Sequence, residues 1–215
     1  MFFPLGQLKL KELGIDLNIN GVIHVGAHKG QEVRHYVDRG IKNIILFEPH
    51  PGSFSALSGR MKNLDEDIIL VNKAAGNING QRKLFKSSNS GMSSSLLKPR
   101  RHLEKYPSIK FDGGTLVDVV RLDDYIVNPE EYNYMSIDVQ GYELEVLKGS
   151  VNLLEHIDYI MTEVNSIYLY AGGVLIDELD EFLAEHNFKR IYCTKDVEHM
   201  KRIEKWADAF YVKTK

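Results

Sequence analysis

Val22-Ile-His-Val-Gly26-Ala-His-Lys-Gly30 decides the fold. A β-branched run, residues 21–25, enters Gly26, and Gly30 leads into a helical pattern over residues 31–38. Glycine has no Cβ, so the backbone turns sharply there and approaches a ligand closely. The start of the helix offers unpaired N–H groups and a partial positive charge. Strand, glycine turn and helix together make a cradle for a nucleotide or a carboxylate. The next strand, Asn43–Phe47, ends in Glu48-Pro49-His50, with Glu48 22 residues after Gly26. An acid about 20 residues beyond such a turn accepts hydrogen bonds from a ribose diol. In a parallel sheet both groups emerge at the carboxyl edge of neighbouring strands.

The same rhythm continues outward. A helix is expected over 52–62 and a strand over 68–71. After residue 123 come a strand (134–137), a helix (142–148), a strand (157–162), a helix (175–186) and closing strands at 188–193 and 209–212. Alternating strands and helices predict an α/β, doubly wound, mostly parallel sheet with right-handed crossovers. Residues 77–122 break the rhythm. Asn79-Gly80 is a hairpin-type turn, residues 81–85 read as a short strand, 87–95 as a polar loop and 116–122 as another strand. This stretch is expected as a small β-hairpin and loop insertion beside the sheet. Residues 1–13 are expected as a short helix within an N-terminal cap, 1–19, and 1–215 as a single domain.

Composition excludes several classes. The 215 residues are 43% apolar and 27% charged, ordinary for a globular chain. Cys193 is the lone cysteine, so no intrachain disulfide or cysteine metal cluster forms. The histidines are scattered along the chain, and no metal is expected. No apolar run reaches the ~18 residues of a membrane span, and the N-terminus lacks the parts of a signal peptide. A cytoplasmic location is the expectation. Cys193 and Trp206 are expected in the core.

The net charge of −3 gives no reason to expect nucleic-acid binding, but its distribution is uneven. Residues 80–110 hold eight Lys or Arg against one acid, a net of +7; residues 123–181 hold fourteen acids against Lys148, a net of −13. The basic stretch is a solvated face or a receiver for an anionic substrate.

The third constellation is Met135-Ser-Ile-Asp138-Val-Gln140-Gly141-Tyr-Glu143. Asp138 ends a parallel strand beside the topological switch point, where such sheets bind ligands. Glu143, opening the next helix, reads as a cap. The glycine spacing differs from Gly-x-Gly-x-x-Gly, and no Gly-Lys-Ser/Thr is present, so a phosphate cradle is not expected. S-adenosylmethionine has a ribose and no phosphate, which suits this sparser turn.

These segments, with Asn72-Lys-Ala-Ala-Gly76, the serine run Gly91-Met-Ser-Ser-Ser-Leu-Leu97 and the ending Ala207-Asp-Ala-Phe-Tyr-Val212, resemble the FkbM family of S-adenosylmethionine-dependent methyltransferases over roughly residues 20–212. Family members often carry Glu where Gln140 stands. The resemblance implies a class I methyltransferase (Rossmann-like) fold: seven strands with one antiparallel strand near the edge. It implies that Gly26, Ala27, His28 and Gly30 surround the methionine part of the cofactor. Glu48, with Pro49 beside it, would hold the ribose, Lys73 and Ala74 would border the adenine, and Asp138 would face the reacting end.

The sulfonium methyl group is already activated, so the protein chiefly aligns the acceptor oxygen, an effect worth up to ~7–11 kcal/mol. Asp138 is the leading base for the acceptor proton, with His28 or His50 in reserve. Ser94 and Ser95 are candidate substrate contacts, as are Glu163 and Tyr168. Arg100 and Arg101 could bind an anionic acceptor. The expected reaction is O-methylation of a sugar, glycan precursor or small metabolite. Alternatives are an RNA 2′-O-methyltransferase, a non-catalytic cofactor-binding module and a nicotinamide-dependent dehydrogenase, the last disfavoured by the glycine spacing.

Overall fold

The computed structural model describes residues 16–62, 64, 68–203 and 205–214. The helix expected over residues 1–13 lies outside them. The main sheet contains β1 (Gly21–Val25), β2 (Asn43–Phe47), β3 (Ile68–Val71), β7 (Tyr134–Ile137), β8 (Tyr159–Asn165), β9 (Phe188–Cys193) and β10 (Trp206–Lys213). Their order is β3-β2-β1-β7-β8-β10-β9. All pairings are parallel except those of β10, which runs antiparallel to β8 and β9. This is the expected seven-stranded α/β sheet.

The strands read as continuous apolar runs because both faces are covered. Alternate residues supply two cores: Ile23, Val25, Ile45, Phe47, Met135 and Ile137 on one face, and Val22, Ile44, Leu46, Tyr134 and Met161 on the other. The connecting helices include α1 (Val33–Val37) and α2 (Pro51–Met61). Proline at the first position of α2 costs no hydrogen bond.

A second, three-stranded sheet stands beside the first. It joins β4 (Ala74–Ala75), β5 (Gly80–Leu84) and β6 (Thr115–Val120) in the order β4-β6-β5. The expected hairpin strand is β5, antiparallel to β6. The two-residue β4 is too short for any periodic signal.

Between β5 and β6 the polar loop is tightly knit. Ser87 Oγ donates to Asn89 Oδ1 (2.6 Å), Asn89 Nδ2 to Ser93 Oγ (3.0 Å) and Ser93 N–H to Ser87 Oγ (3.0 Å). Later elements are α3 (His102–Lys105), α4 (Leu122–Tyr125), α5 (Glu143–Lys148), α6 (Ile176–Glu185) and α7 (Val197–Ile203). Among the described residues no helix is long and apolar enough to cross a membrane. Trp206 departs from expectation. It is 39% exposed at the first position of β10, beneath the Lys195 ammonium, 4.4 Å from its ring centroid.

Candidate functional site

Sheet register builds the site. Val25 pairs with Phe47 and with Ile137, Phe47 with Val71, and Ile137 with Thr162. One residue further, at the carboxyl edge, Asn72, Glu48, Gly26, Asp138 and Glu163 therefore stand in a row. Asp208 of β10 extends it opposite Glu163. The chain's order reverses between β1 and β7, the switch point where open α/β sheets bind ligands.

Above this row lies a cavity of about 980 Å³, part of it open to solvent. Gly26, His28, Glu48, Pro49, Lys73, Ala74 and Asp138 line it. Ala27 and Gly30 do not. Ala27 is buried, its N–H bonded to Phe47 O at 3.0 Å. A Cβ on Gly30 would lie 2.7 Å from Leu57 Cδ1, so that glycine serves the packing of the turn on α2.

Of the acceptor candidates, Ser94 and Ser95 reach the wall. Ser95 Oγ is already committed to Gln140 O at 2.8 Å. Glu163 lies behind the wall, bonded to Gln140 Nε2 at 3.1 Å. Tyr168 bonds Glu178. Arg100 and Arg101 are off the wall, and Arg101 pairs with Glu104. A count of charge gives the sign of a stretch, not the surface it covers.

Gln31, Glu32, Met92, Leu96, Gln140 and Tyr142 are also on the wall, without having been foreseen. Gln31 and Glu32 follow directly on the glycine turn, and that proximity was a usable signal. Met92 and Leu96 arrive by the folding back of the polar loop, which leaves no periodic trace.

Glu48 is buried and held by backbone donors. Its Oε2 accepts the N–H of His28 at 2.8 Å and its Oε1 that of His50 at 2.7 Å. Each carboxylate oxygen keeps a further lone pair for a ligand. Burial pushes this carboxyl up to about 7, against the pull of those two N–H groups. Asn72 Nδ2 holds the same turn through Glu48 O at 2.8 Å.

Glu143, at the start of α5, caps the turn before it. Its Oε1 takes the N–H groups of Val139 and Gly141. Burial raises this carboxyl to about 7 as well. Glu163 is buried and Asp138 half-buried, and the loss of solvent around them raises both carboxyls. His24, buried under the wall, is held neutral by burial and bonded to Tyr36 OH at 2.9 Å. Among the described residues no group of side chains forms a metal site.

The wall suits a cationic ligand with a diol. Its floor is acidic, its diol acceptor is fixed in advance, and it has neither a phosphate loop nor an arginine. Ala74, Ala75, Leu84 and Leu96 give one side an apolar surface for a flat base.

The chain is similar to known proteins. The chain is 28% identical over 182 residues to 2-O-methyltransferase NoeI of Sinorhizobium fredii, covering 79% of this chain and 74% of that protein. It is 26% identical over 129 residues to hexuronic acid methyltransferase AglP of Haloferax volcanii, 58% of this chain and 48% of that one. The crystal structure of methyltransferase FkbM from Methylobacillus flagellatus superposes with a TM-score of 0.58 at 16% identity. That match covers 89% of this chain and 42% of that one. The chain thus spans about half or less of the last two. Residues 24–190 match the model of the methyltransferase FkbM domain, from the middle of β1 into β9, with the whole cavity wall inside them; the chain belongs to that family.

Proposed function

We propose that this S-adenosylmethionine-dependent methyltransferase methylates a hydroxyl group of a sugar, in a glycan or a small glycoside. The observation that carries the reading is the immobilised Glu48 carboxylate beside Gly26 and Asp138 at the switch point. Glu48 would take the ribose hydroxyls, with Pro49 beside it. Gly26 and His28 would border the methionine part, Lys73 and Ala74 the adenine. When bound, the cofactor supplies a methyl group activated on a sulfonium. The acidic floor would hold its positive charges, and Asp138 would receive the acceptor's proton. The names of the two relatives support a sugar acceptor. The hexuronic acid relative supports one with a negative group. Lys86 pairs with Asp112 at 2.9 Å and Arg101 with Glu104 at 3.8 Å, which occupies two of the eight cations of the basic stretch.

Calorimetric titration with S-adenosylhomocysteine tests the cofactor site. Micromolar binding is expected, weakened about 10- to 100-fold by Glu48→Ala, as ~1.4–2.8 kcal/mol of charge-assisted bonding requires. No binding to folded protein, or equal binding of NADH, overturns the reading. A panel of methyl glycosides, from a neutral fucoside to a glucuronide, tests the acceptor. Turnover of the glucuronide above the fucoside is expected, and the reverse removes the anionic group.

The same titration should depend on pH. The ribose needs the ionised Glu48, and burial leaves this group half-protonated near pH 7. Protonation removes an acceptor, so affinity falls as pH drops through 7. The slope approaches tenfold per pH unit if only the carboxylate binds. A flat profile between pH 5 and 8 contradicts it.

A further inference from the structure

We propose that Gln140 is a positioning residue for methyl transfer: its carboxamide holds Asp138 in one rotamer and keeps it a carboxylate. This rests on the reading of Asp138 as the group that receives the acceptor's proton. Gln140 has a φ of +56°, in the left-handed region, and Gly141 follows with a φ of +95°. A left-handed conformation costs a non-glycine residue ~1–2 kcal/mol. Such strain persists only where the surroundings over-determine it, and it gathers at functional sites.

The surroundings here do so. The reversed chain brings the Gln140 side chain back over Asp138. Its Nε2 lies 2.9 Å from Asp138 Oδ1 and 3.1 Å from Glu163 Oε2. An amide nitrogen carries two hydrogens, so each carboxylate takes one and no donor is left over. Gln140 Oε1 lies 3.2 Å from Tyr170 OH, whose hydrogen is shared with Ser93 O at 2.8 Å. The backbone oxygen accepts Ser95 Oγ.

Two consequences follow for Asp138. With Oδ1 engaged, Oδ2 is the oxygen left for the cavity; among the described residues no donor meets it. Asp138 and Glu163 also stand side by side on neighbouring strands. A buried carboxyl and a half-buried one that close together favour taking up a proton between them. A carboxamide between them donates to both and does not itself titrate. It opposes the rise that burial imposes on Asp138. Glu163 is further anchored by Asn165 Nδ2 at 3.2 Å.

Carboxyl-labelled aspartate, followed by carbon NMR, reads the protonation of Asp138 directly, its signal assigned by loss in Asp138→Asn. The titratable groups facing it are His28 and Glu32 after β1, Glu48 after β2, Glu143 of α5, and Glu163, Tyr170 and Asp208 from β8, the segment after it and β10. None of these changes in Gln140→Leu or Gln140→Glu. Both variants are expected to raise the Asp138 midpoint by at least one pH unit, Gln140→Glu by more because it adds a carboxyl. If Gln140→Leu fails to fold, Gln140→Met, which also removes the donor without adding a charge, decides. An unchanged midpoint in either folded variant overturns the proposal.

Cofactor binding gives a second readout. The positive sulfonium of S-adenosylmethionine should be preferred over neutral S-adenosylhomocysteine by the wild type. Gln140→Leu should reduce that preference at least threefold and change S-adenosylhomocysteine affinity less than twofold. Wild-type protein that binds neither compound refutes the functional reading alone, and the carboxyl titration still decides the role of Gln140.

Discussion

Gly26→Ala is expected to lower the melting temperature by roughly 6–12 °C and to weaken S-adenosylhomocysteine binding more than 100-fold. Two costs combine. The residue has a φ of +85°, where a side chain costs ~1–2 kcal/mol. A Cβ built there would also lie 1.9 Å from the carbonyl oxygen of Asp138, which is backbone of the neighbouring β7 turn and has no rotamer to escape into. Relief requires the β1 and β7 turns to part. That separation breaks the row on which the site depends, because Gly26 stands between Glu48 and Asp138. A total near 3 kcal/mol corresponds to the stated shift for a domain of this size, at ~2–4 °C per kcal/mol. Thermal melting and calorimetry on the same preparation check it. A stable Gly26→Ala protein with native affinity would show that the two turns slide apart without cost. Gly40→Ala is the control, since Gly40 also has a positive φ but nothing lies within 4 Å of its Cβ position. It should lose stability only modestly and keep its affinity.

That contrast also explains what the sequence made legible. Gly26, Glu48 and Asp138 could be placed because parallel register forces strand ends into line, and one βαβ unit sets the 22-residue interval. Gly30 was assigned to the ligand on the same reasoning as Gly26. Yet glycine marks any close approach, and here the approaching groups are Leu57 and Met61. Gln140 stood within the third constellation, but its part left no pattern there. Its part depends on a left-handed backbone and on partners 23 and 30 residues away. Arg100 and Arg101 stood out by charge, but charge does not say which way a loop folds. The serine run showed the opposite failing: its composition suggested only a polar loop, while its hydroxyls bond one another and the chain.

Asp138→Asn is expected to slow methyl transfer by about 10²–10⁴-fold, the usual range for loss of a general base, with S-adenosylhomocysteine affinity changed less than threefold. Asparagine is isosteric. It can offer its oxygen to Gln140 Nε2 and turn its amide to the cavity, so the turn keeps its bonds while the proton acceptor disappears. The two reserve bases are poorly placed to replace it. His28 Nε2 lies 2.9 Å from Ser90 O, which only accepts, so that nitrogen carries the hydrogen. Its Nδ1 is taken by Gln31 Nε2 at 2.9 Å. His50 Nδ1 accepts the N–H of Ser53 at 3.1 Å, which leaves the hydrogen of the neutral ring on Nε2. Burial lowers the His50 pKa, so the ring is neutral near pH 7 and still has no free lone pair. Asp138 Oδ2 is thus the basic atom on this part of the wall without a donor. Radiolabelled methyl transfer to the best glycoside of the panel gives the rate, and calorimetry gives the affinity. A parallel loss of both would mean that Asp138 holds the cofactor amine. The proton would then have to leave through water, because neither histidine can take it without first releasing Ser53 or Gln31.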